Sequence, residues 1–368
     1  YTVVDAAIVG QFCGVNSLAA LGSTDWLVWF CLGFCVGLTQ GFAILIAQHF
    51  GAKEYRLLRK SVAMSIVLAA AIAVVMSVLL QILAEPVLRL LNTDEALLYL
   101  RISYGGFAVV MAYNLLASVL RSLGDGTTPL VAMGVACAVN IGLDLLFVAA
   151  FHWGIGGAAG ATVTAQLVSC LYCAYRFRKL SLLKFSKEDW RLDRPLLKKL
   201  FSLGSPLAVQ NMVIHIGGMV LQSIINTYGV AFLAGFTATN KLYGALELAA
   251  IAFGYSIATY TGQNMGAEKI KRIKKGIRAA TVLAIATSLA ITALALIFSR
   301  PLTSLFINAG SENAQEALQV AMSYLAVLAV FLPILYLLNI YRSALQGLGD
   351  TITPFLSGMM ELAMRLAC

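Results

Sequence analysis

Apolar residues in this chain come in runs of about 20, broken by short clusters of charge, Gly or Pro. The stretch "SVAMSIVLAAAIAVVMSVLLQILAEP" (61–86) shows the pattern. It has neither the period-2 alternation of a half-buried strand nor the polar face of a surface helix, and it is long enough to cross a bilayer. About eleven such segments are predicted, the first and last incomplete, which makes the chain an all-α polytopic membrane protein. "YTVVDAAIVG" starts inside an apolar segment, and "TPFLSGMMELAMRLAC" stops short of a full crossing. The expectation is a chain truncated at both ends.

Composition agrees: 60% of residues are hydrophobic, 12% are charged, and the mean hydropathy is +0.85. The net charge of +9 could signal nucleic acid, but its distribution excludes that class. Lys and Arg cluster in residues 53–60, 176–199 and 268–278, while the intervening connections 14–25, 152–157 and 226–235 have none. That alternation places the basic loops in the cytoplasm, under a multi-pass protein of the plasma membrane. The cysteines lie in apolar segments without nearby ligand partners, as packing residues, and no cofactor is expected.

The chain also repeats itself. "AQHFGAKEYRLLRKSV" (47–62) returns as "GQNMGAEKIKRIKKGI" (262–277), an offset of 215 (263 minus 48). The same offset joins "EPVLRLL" (85–91) to "RPLTSLF" (300–306). Further on, "YNLLASVLRSLGDGTTP" (113–129) matches "LNIYRSALQGLGDTITP" (338–354) at an offset of 225 (350 minus 125). The first copy is therefore shorter around residues 92–104. Because the basic loops recur in phase, the copies share one orientation. This is a parallel repeat of two pseudo-symmetric lobes of about six helices, an arrangement suited to alternating access. The expected limits are 1–178 for the N-lobe, 179–199 for a cytoplasmic linker and 200–368 for the C-lobe. Duplicated residues read as servants of the shared fold: Gln48, Gly51, Gln263 and Gly266 at span ends, and Asp125 and Asp350 as helix caps before the Thr-Pro pairs.

Residues that break the repeat are the better functional candidates: Asp5 falls opposite Val220 and Asn140 opposite Arg365, while the counterpart of Asp144 would be residue 369, beyond Cys368. Asn140 and Asp144 lie four apart on one helix face within an apolar run. A carboxylate at that depth needs a partner or a cation, and Asp5 is the natural second acid. Such a pair suits protonation near neutral pH; with Asn140 and a hydroxyl such as Thr162 the same oxygens suit Na⁺. Glu247, in the second half, is a candidate contact for a cationic substrate. His215 and Met212 are further candidates for a substrate cleft. Glu361 and Arg365, an i, i+4 pair, are expected to neutralise one another.

These residues resemble the multidrug and toxic compound extrusion (MATE) transporters over nearly the whole chain. The resemblance rests on "VDAAIVG", "LIAQHFGA" with "YTGQNMGA", "AEPVLRLL", "VLRSLGDGTTP" and "NIGLD" together. It implies twelve helices, of which about eleven are present here. It also implies antiport of organic, often cationic, compounds against H⁺ or Na⁺ by a monomer in the lipid bilayer. The match is nearest the bacterial DinF-like side, whose first-, fifth- and sixth-span site residues fall on Asp5, Asn140, Asp144 and Thr162. The acids of the NorM-like C-lobe have no counterpart near Pro206 or in the tenth span. Two alternatives stand beside this reading: a lipid-linked oligosaccharide flippase and an intramembrane enzyme or binding module.

Overall fold

The computed structural model describes residues 2–13, 15–91, 96–225, 227–304, 306–307 and 314–367. Thirteen α-helices follow one another through these residues: α1 (Thr2–Cys13), α2 (Val15–Gly51), α3 (Tyr55–Leu91), α4 (Leu97–Gly105), α5 (Phe107–Ser122), α6 (Thr127–Asp144), α7 (Gly154–Arg178), α8 (Arg194–Ile225), α9 (Val230–Gly266), α10 (Ile270–Ile297), α11 (Ser299–Ser304), α12 (Ala314–Leu348) and α13 (Ile352–Ala367). No strand occurs among the described residues. A helix satisfies its own backbone groups, which is the condition for entering hydrocarbon.

Among the described residues eight helices are long and apolar enough to cross a membrane, and α4 with α5, bent by 44°, makes a ninth span. The bend falls at the Gly105–Gly106 pair, where α7 approaches so closely that a Cβ on Gly106 would lie 2.5 Å from Val163 Cγ2. A side chain there would push the two helices apart, so glycine sets the geometry. At 12 and 16 residues, α1 and α13 are shorter than these spans.

Two connections differ from expectation. Residues 14–25 were expected to form a loop, yet α2 is helical from Val15; of 226–235, only the stretch before Val230 interrupts the helices. Neither stretch contains Pro, and residues 15–25 and 230–235 carry Leu and Ala, so helix runs through them despite their glycines, while the helices break between Ile225 and Val230. In the shorter region 92–104, residues 92–95 lie outside the described residues.

The chain packs as two compact units, Tyr1–His215 and Ile216–Cys368. The core of the first is built from Leu38, Phe42 and Leu45 of α2, Leu58 and Val62 of α3, Leu100 and Tyr104 of α4, and Leu200 and Ala208 of α8. The seam between α2 and α8 is made by Gly33, Gly37 and Gly41. A Cβ on Gly37 would lie 2.3 Å from the Leu207 carbonyl oxygen, and one on Gly41 would lie 2.3 Å from Gly204 Cα. The helices touch backbone to backbone, as small residues at four-residue spacing allow in a membrane.

In the second unit α9 and α12 pack side by side and run parallel. Gly235 and Thr239 meet Ala317 and Ala321, while farther along Gly254 meets Ser343 and Thr261 meets Gly347. The buried Tyr336 hydroxyl donates to the Leu246 carbonyl at 2.8 Å. Outside these cores, α3 exposes Val74, Val75, Val78 and Ile82 on one flank, with Val75 64% exposed. In water such a surface would be a liability; in a bilayer it is the lipid face.

Candidate functional site

Three helices of the first unit bring the predicted polar residues together. Asp5 on α1, Asn140 and Asp144 on α6, and Thr162 on α7 meet inside the bundle. Asn140 and Asp144 are both fully buried, and Asp5 is 8% exposed. The Asn140 amide donates to Thr162 Oγ1 at 3.5 Å, and Thr162 Oγ1 donates to Asp5 Oδ2 at 3.5 Å. The Asp5 and Asp144 carboxyls face each other closely enough to interact directly.

An apolar cluster holds this arrangement in register. Ile8 and Val9, Val148 and Ala158 pack together, each three or four residues from Asp5, Asp144 or Thr162 on the same element. Residues at that spacing share a face, so packing the apolar set aligns the polar one. Directly after Asp144, α6 widens into a π-helical turn over Leu145–Ala150. Such turns are rare and concentrate at functional sites, and this one brings Val148 into the cluster.

Four buried oxygens are left unsatisfied: Asp5 Oδ1, Asn140 Oδ1 and both carboxylate oxygens of Asp144 have no hydrogen-bond partner among the described residues. Each orphaned buried acceptor costs roughly 1–3 kcal/mol, more when charged. Two ionised carboxylates cannot relieve each other, because both are acceptors only. A proton shared between them would, and so would a hard monovalent cation held by carboxylate, amide and hydroxyl oxygens.

The other candidates fall elsewhere. Met212 and His215 lie half-buried on α8 in the first unit, the His215 ring 6.3 Å from that of Trp29 and pressed against Gly33. Glu247 belongs to the second unit, close to the middle of α9 and facing the Tyr243 hydroxyl one turn away. Glu361 and Arg365 do pair, Arg365 Nη2 to Glu361 Oε1 at 2.6 Å. Glu361 is also shared: Arg342 Nη2 on α12 donates to its other oxygen at 3.1 Å. Sequence reasoning missed Arg342. The available signal was the tight turn at Gly349–Asp350, from which Arg342 and Ser357 are equidistant and therefore level on neighbouring helices.

The duplicated motifs form matching turns. Gly51 and Gly266 end α2 and α9, and the carbonyls of Gln48 and Gln263 accept from Ala52 and Ala267 at 2.9 and 3.0 Å. Two residues beyond each glycine, Lys53 and Glu268 adopt φ of 61° and 57°. Asp125 accepts from the Thr128 N–H at 2.9 Å, and Asp350 from the Thr353 N–H at 3.0 Å. Gly124 and Gly349 before them have φ of 91° and 96°.

The fold and site together define a class: a polytopic α-helical membrane protein of two repeated bundles, with a buried carboxylate, amide and hydroxyl cluster inside the first. The model of the MatE family matches residues 1–146 and 206–364, and the chain belongs to this family, the MATE transporters. In Bacillus subtilis, the protein named "Probable multidrug resistance protein YpnP" is 31% identical over 281 residues, 74% of this chain and 62% of that protein. "Probable multidrug resistance protein YoeA" of the same organism is 28% identical over 88% of this chain and 72% of its own length. The chain thus spans less than two thirds of YpnP. In fold, a solved MOP superfamily transporter from Pyrococcus furiosus superposes with a TM-score of 0.92 at 22% identity, covering 100% of this chain and 83% of its own. The family is one of transporters rather than enzymes.

Proposed function

We propose that the protein is a secondary efflux antiporter of the plasma membrane, exporting small organic, often cationic, compounds in exchange for H⁺ or Na⁺. The observation that supports it is the set of four orphaned oxygens on Asp5, Asn140 and Asp144. A cation relieves them, and a state that has bound it is stabilised over one that has not. Antiport follows when the exported compound favours the opposite state of an alternating-access cycle. The basic connections face the cytoplasm in this reading, and one copy of the chain is the working unit. Met212 and His215 in the first unit and Glu247 in the second contribute contacts to the exported compound. Gln48, Gly51, Gln263, Gly266, Asp125 and Asp350 serve the fold.

The test is fluorescent-dye efflux from proteoliposomes of the full-length protein under separately imposed H⁺ and Na⁺ gradients. One of the two gradients should drive efflux in the parent protein. Asp5→Asn and Asp144→Asn should each lower it by about tenfold or more, since one lost carboxylate removes a charged ligand of the cation. Full gradient-driven efflux in both variants would sink the proposed role of the site.

A further inference from the structure

On the flank of α3 that faces lipid, an apolar stripe ends in charge. Val75, Val78 and Ile82 follow one another at three- and four-residue steps, which keeps them on one helix face, and they are 64%, 57% and 66% exposed. The same steps continue to Glu85 and Arg89. Both break the internal repeat: at the offset of 215 they fall opposite Arg300 and Ser304. About 38 Å of helix separates Glu85 from Lys60 at about 1.5 Å per residue. A bilayer is about 40–45 Å thick with its headgroups, so with the basic residues 53–60 at one interface, Glu85 and Arg89 stand at headgroup level on the other.

The second wall comes from α4. A cleft of about 510 Å³ opens there, lined by Gln81, Ile82, Glu85, Pro86, Arg89 and Arg101. The Gln81 amide donates to the Arg101 carbonyl at 2.7 Å, which ties α4 to α3 at this point. Glu85 serves both guanidiniums: Arg89 Nη2 donates to its Oε1 at 2.5 Å and Arg101 Nη2 to its Oε2 at 3.2 Å. Among the described residues Glu85 is the one side-chain acceptor for either arginine, and each reaches it through a single nitrogen. A guanidinium carries five N–H donors, so most of both forks is unspent, and the two side chains are 70% and 49% exposed. Asp94 and Glu95, in the connection from α3 to α4, lie outside the described residues.

Glu85 and Arg89 alone, an i, i+4 pair, would be an ordinary feature of a helix end. Three observations set this cluster apart. A second arginine converges on it from another helix, the donors of both exceed what one carboxylate can accept, and the cluster caps a stripe already exposed to lipid. Val75 lies about 15 Å along α3 from Glu85, half of a hydrocarbon core about 30 Å thick and so the reach of one acyl chain.

We propose that this cleft binds an anionic glycerophospholipid, Arg89 and Arg101 taking the non-bridging oxygens of its phosphodiester and Ile82, Val78 and Val75 carrying one acyl chain. Guanidinium forks match phosphate oxygens two at a time. With two arginines and one glutamate on its walls, the cleft favours a lipid of net negative charge over a zwitterionic one. A soluble phosphate ester would leave the apolar stripe unused, so the ligand is a lipid. The site is separate from the Asp5–Asp144 cluster and stands whether or not the protein is an antiporter.

Native mass spectrometry of the full-length protein in detergent, titrated with phosphatidylglycerol and phosphatidylcholine of identical acyl chains, tests it. The first bound phosphatidylglycerol should be favoured by about fivefold, the effect of one net cationic side chain near a headgroup. The double variant Arg89→Gln with Arg101→Gln should bring the two lipids within about twofold, and Arg89→Lys with Arg101→Lys should keep part of the preference, because it retains the charge without the fork. Glu85→Gln frees donors and should hold phosphatidylglycerol at least as tightly as the parent protein, which a cluster serving only to join α3 to α4 would not do. Equal affinity of the parent protein for both lipids overturns the proposal, a comparison that needs no variant to fold. So does a preference that survives in the double Gln variant. Displacement of the lipid by equimolar glycerol 3-phosphate overturns it as well, since the site would then be one for soluble phosphates.

Discussion

At the scale of the residue, the same amino acid serves in two ways. Asp125 and Asp350 sit in turns and accept from the N–H groups of the helices they precede, whereas Asp5 and Asp144 are buried with oxygens unsatisfied. The capping aspartates were readable from sequence because capping is local: Gly, Asp and Thr-Pro within a few positions carry the whole interaction. Hydrogen bonds from the side chain and backbone N–H of Thr353 hold the Asp350 carboxyl below the usual carboxylate range. Asp350→Ala should therefore destabilise the protein by roughly 0.5–2 kcal/mol, and Asp350→Asn, which still caps, by much less. Thermal unfolding of the detergent-solubilised variants measures the difference. That Asp5 and Asp144 face one another followed from no such local rule.

At the scale of the element, the segment between α7 and α8 is docked on the start of α3 by three ion pairs. Arg56 meets Glu188 at 3.4 Å, Arg59 meets Asp189 at 3.5 Å, and Lys60 meets Asp193 at 2.5 Å. Burial alone would raise the Asp189 carboxyl, but hydrogen bonds from Ser186 and the Arg59 guanidinium outweigh it and hold the group low. Asp193 is held low chiefly by Lys60 and by the Leu196 N–H. Both are more acidic when docked than an ordinary Asp at about 3.9, so docking is complete above that pH. It weakens as pH falls through the lowered values. Protease cleavage within 179–193 should stay slow from neutral pH to about pH 4 and rise below it, with an acid-active protease as the probe. Asp193→Asn should raise cleavage already at neutral pH. Unchanged protection in both experiments would show that the ion pairs do not hold the segment. The basic composition of 176–199 was visible in sequence; its acidic residues gained meaning only once α3 supplied their partners.

At the scale of the whole molecule, the tandem repeat has a consequence that can be checked in both units at once. The turns after α2 and α9 match hydrogen bond for hydrogen bond, and each places a non-glycine residue at positive φ, Lys53 and Glu268. A side chain there is strained in a way glycine is not. Lys53→Gly and Glu268→Gly should each leave stability unchanged or raise it by up to about 1 kcal/mol, and by similar amounts, in a thermal-shift assay. A loss in one and a gain in the other would show that the repeat has diverged in function at these turns. The run lengths, the repeat and its offsets determined an all-helical membrane protein in two copies, because crossing a bilayer demands long apolar segments and a duplicated fold keeps its turn chemistry. Depth within apolar runs marked Asp144 with Asn140, and the broken repeat marked Asp5; Thr162 was named as a nearby hydroxyl and by the family resemblance. What only the tertiary structure decided is which charged residues share a neighbourhood across helices far apart in the chain. Asp5 meets Thr162 across 157 positions, and Arg342 joins Glu361 through the antiparallel turn before α13. Helical periodicity tells which face of a helix a residue occupies; only packing tells what that face meets.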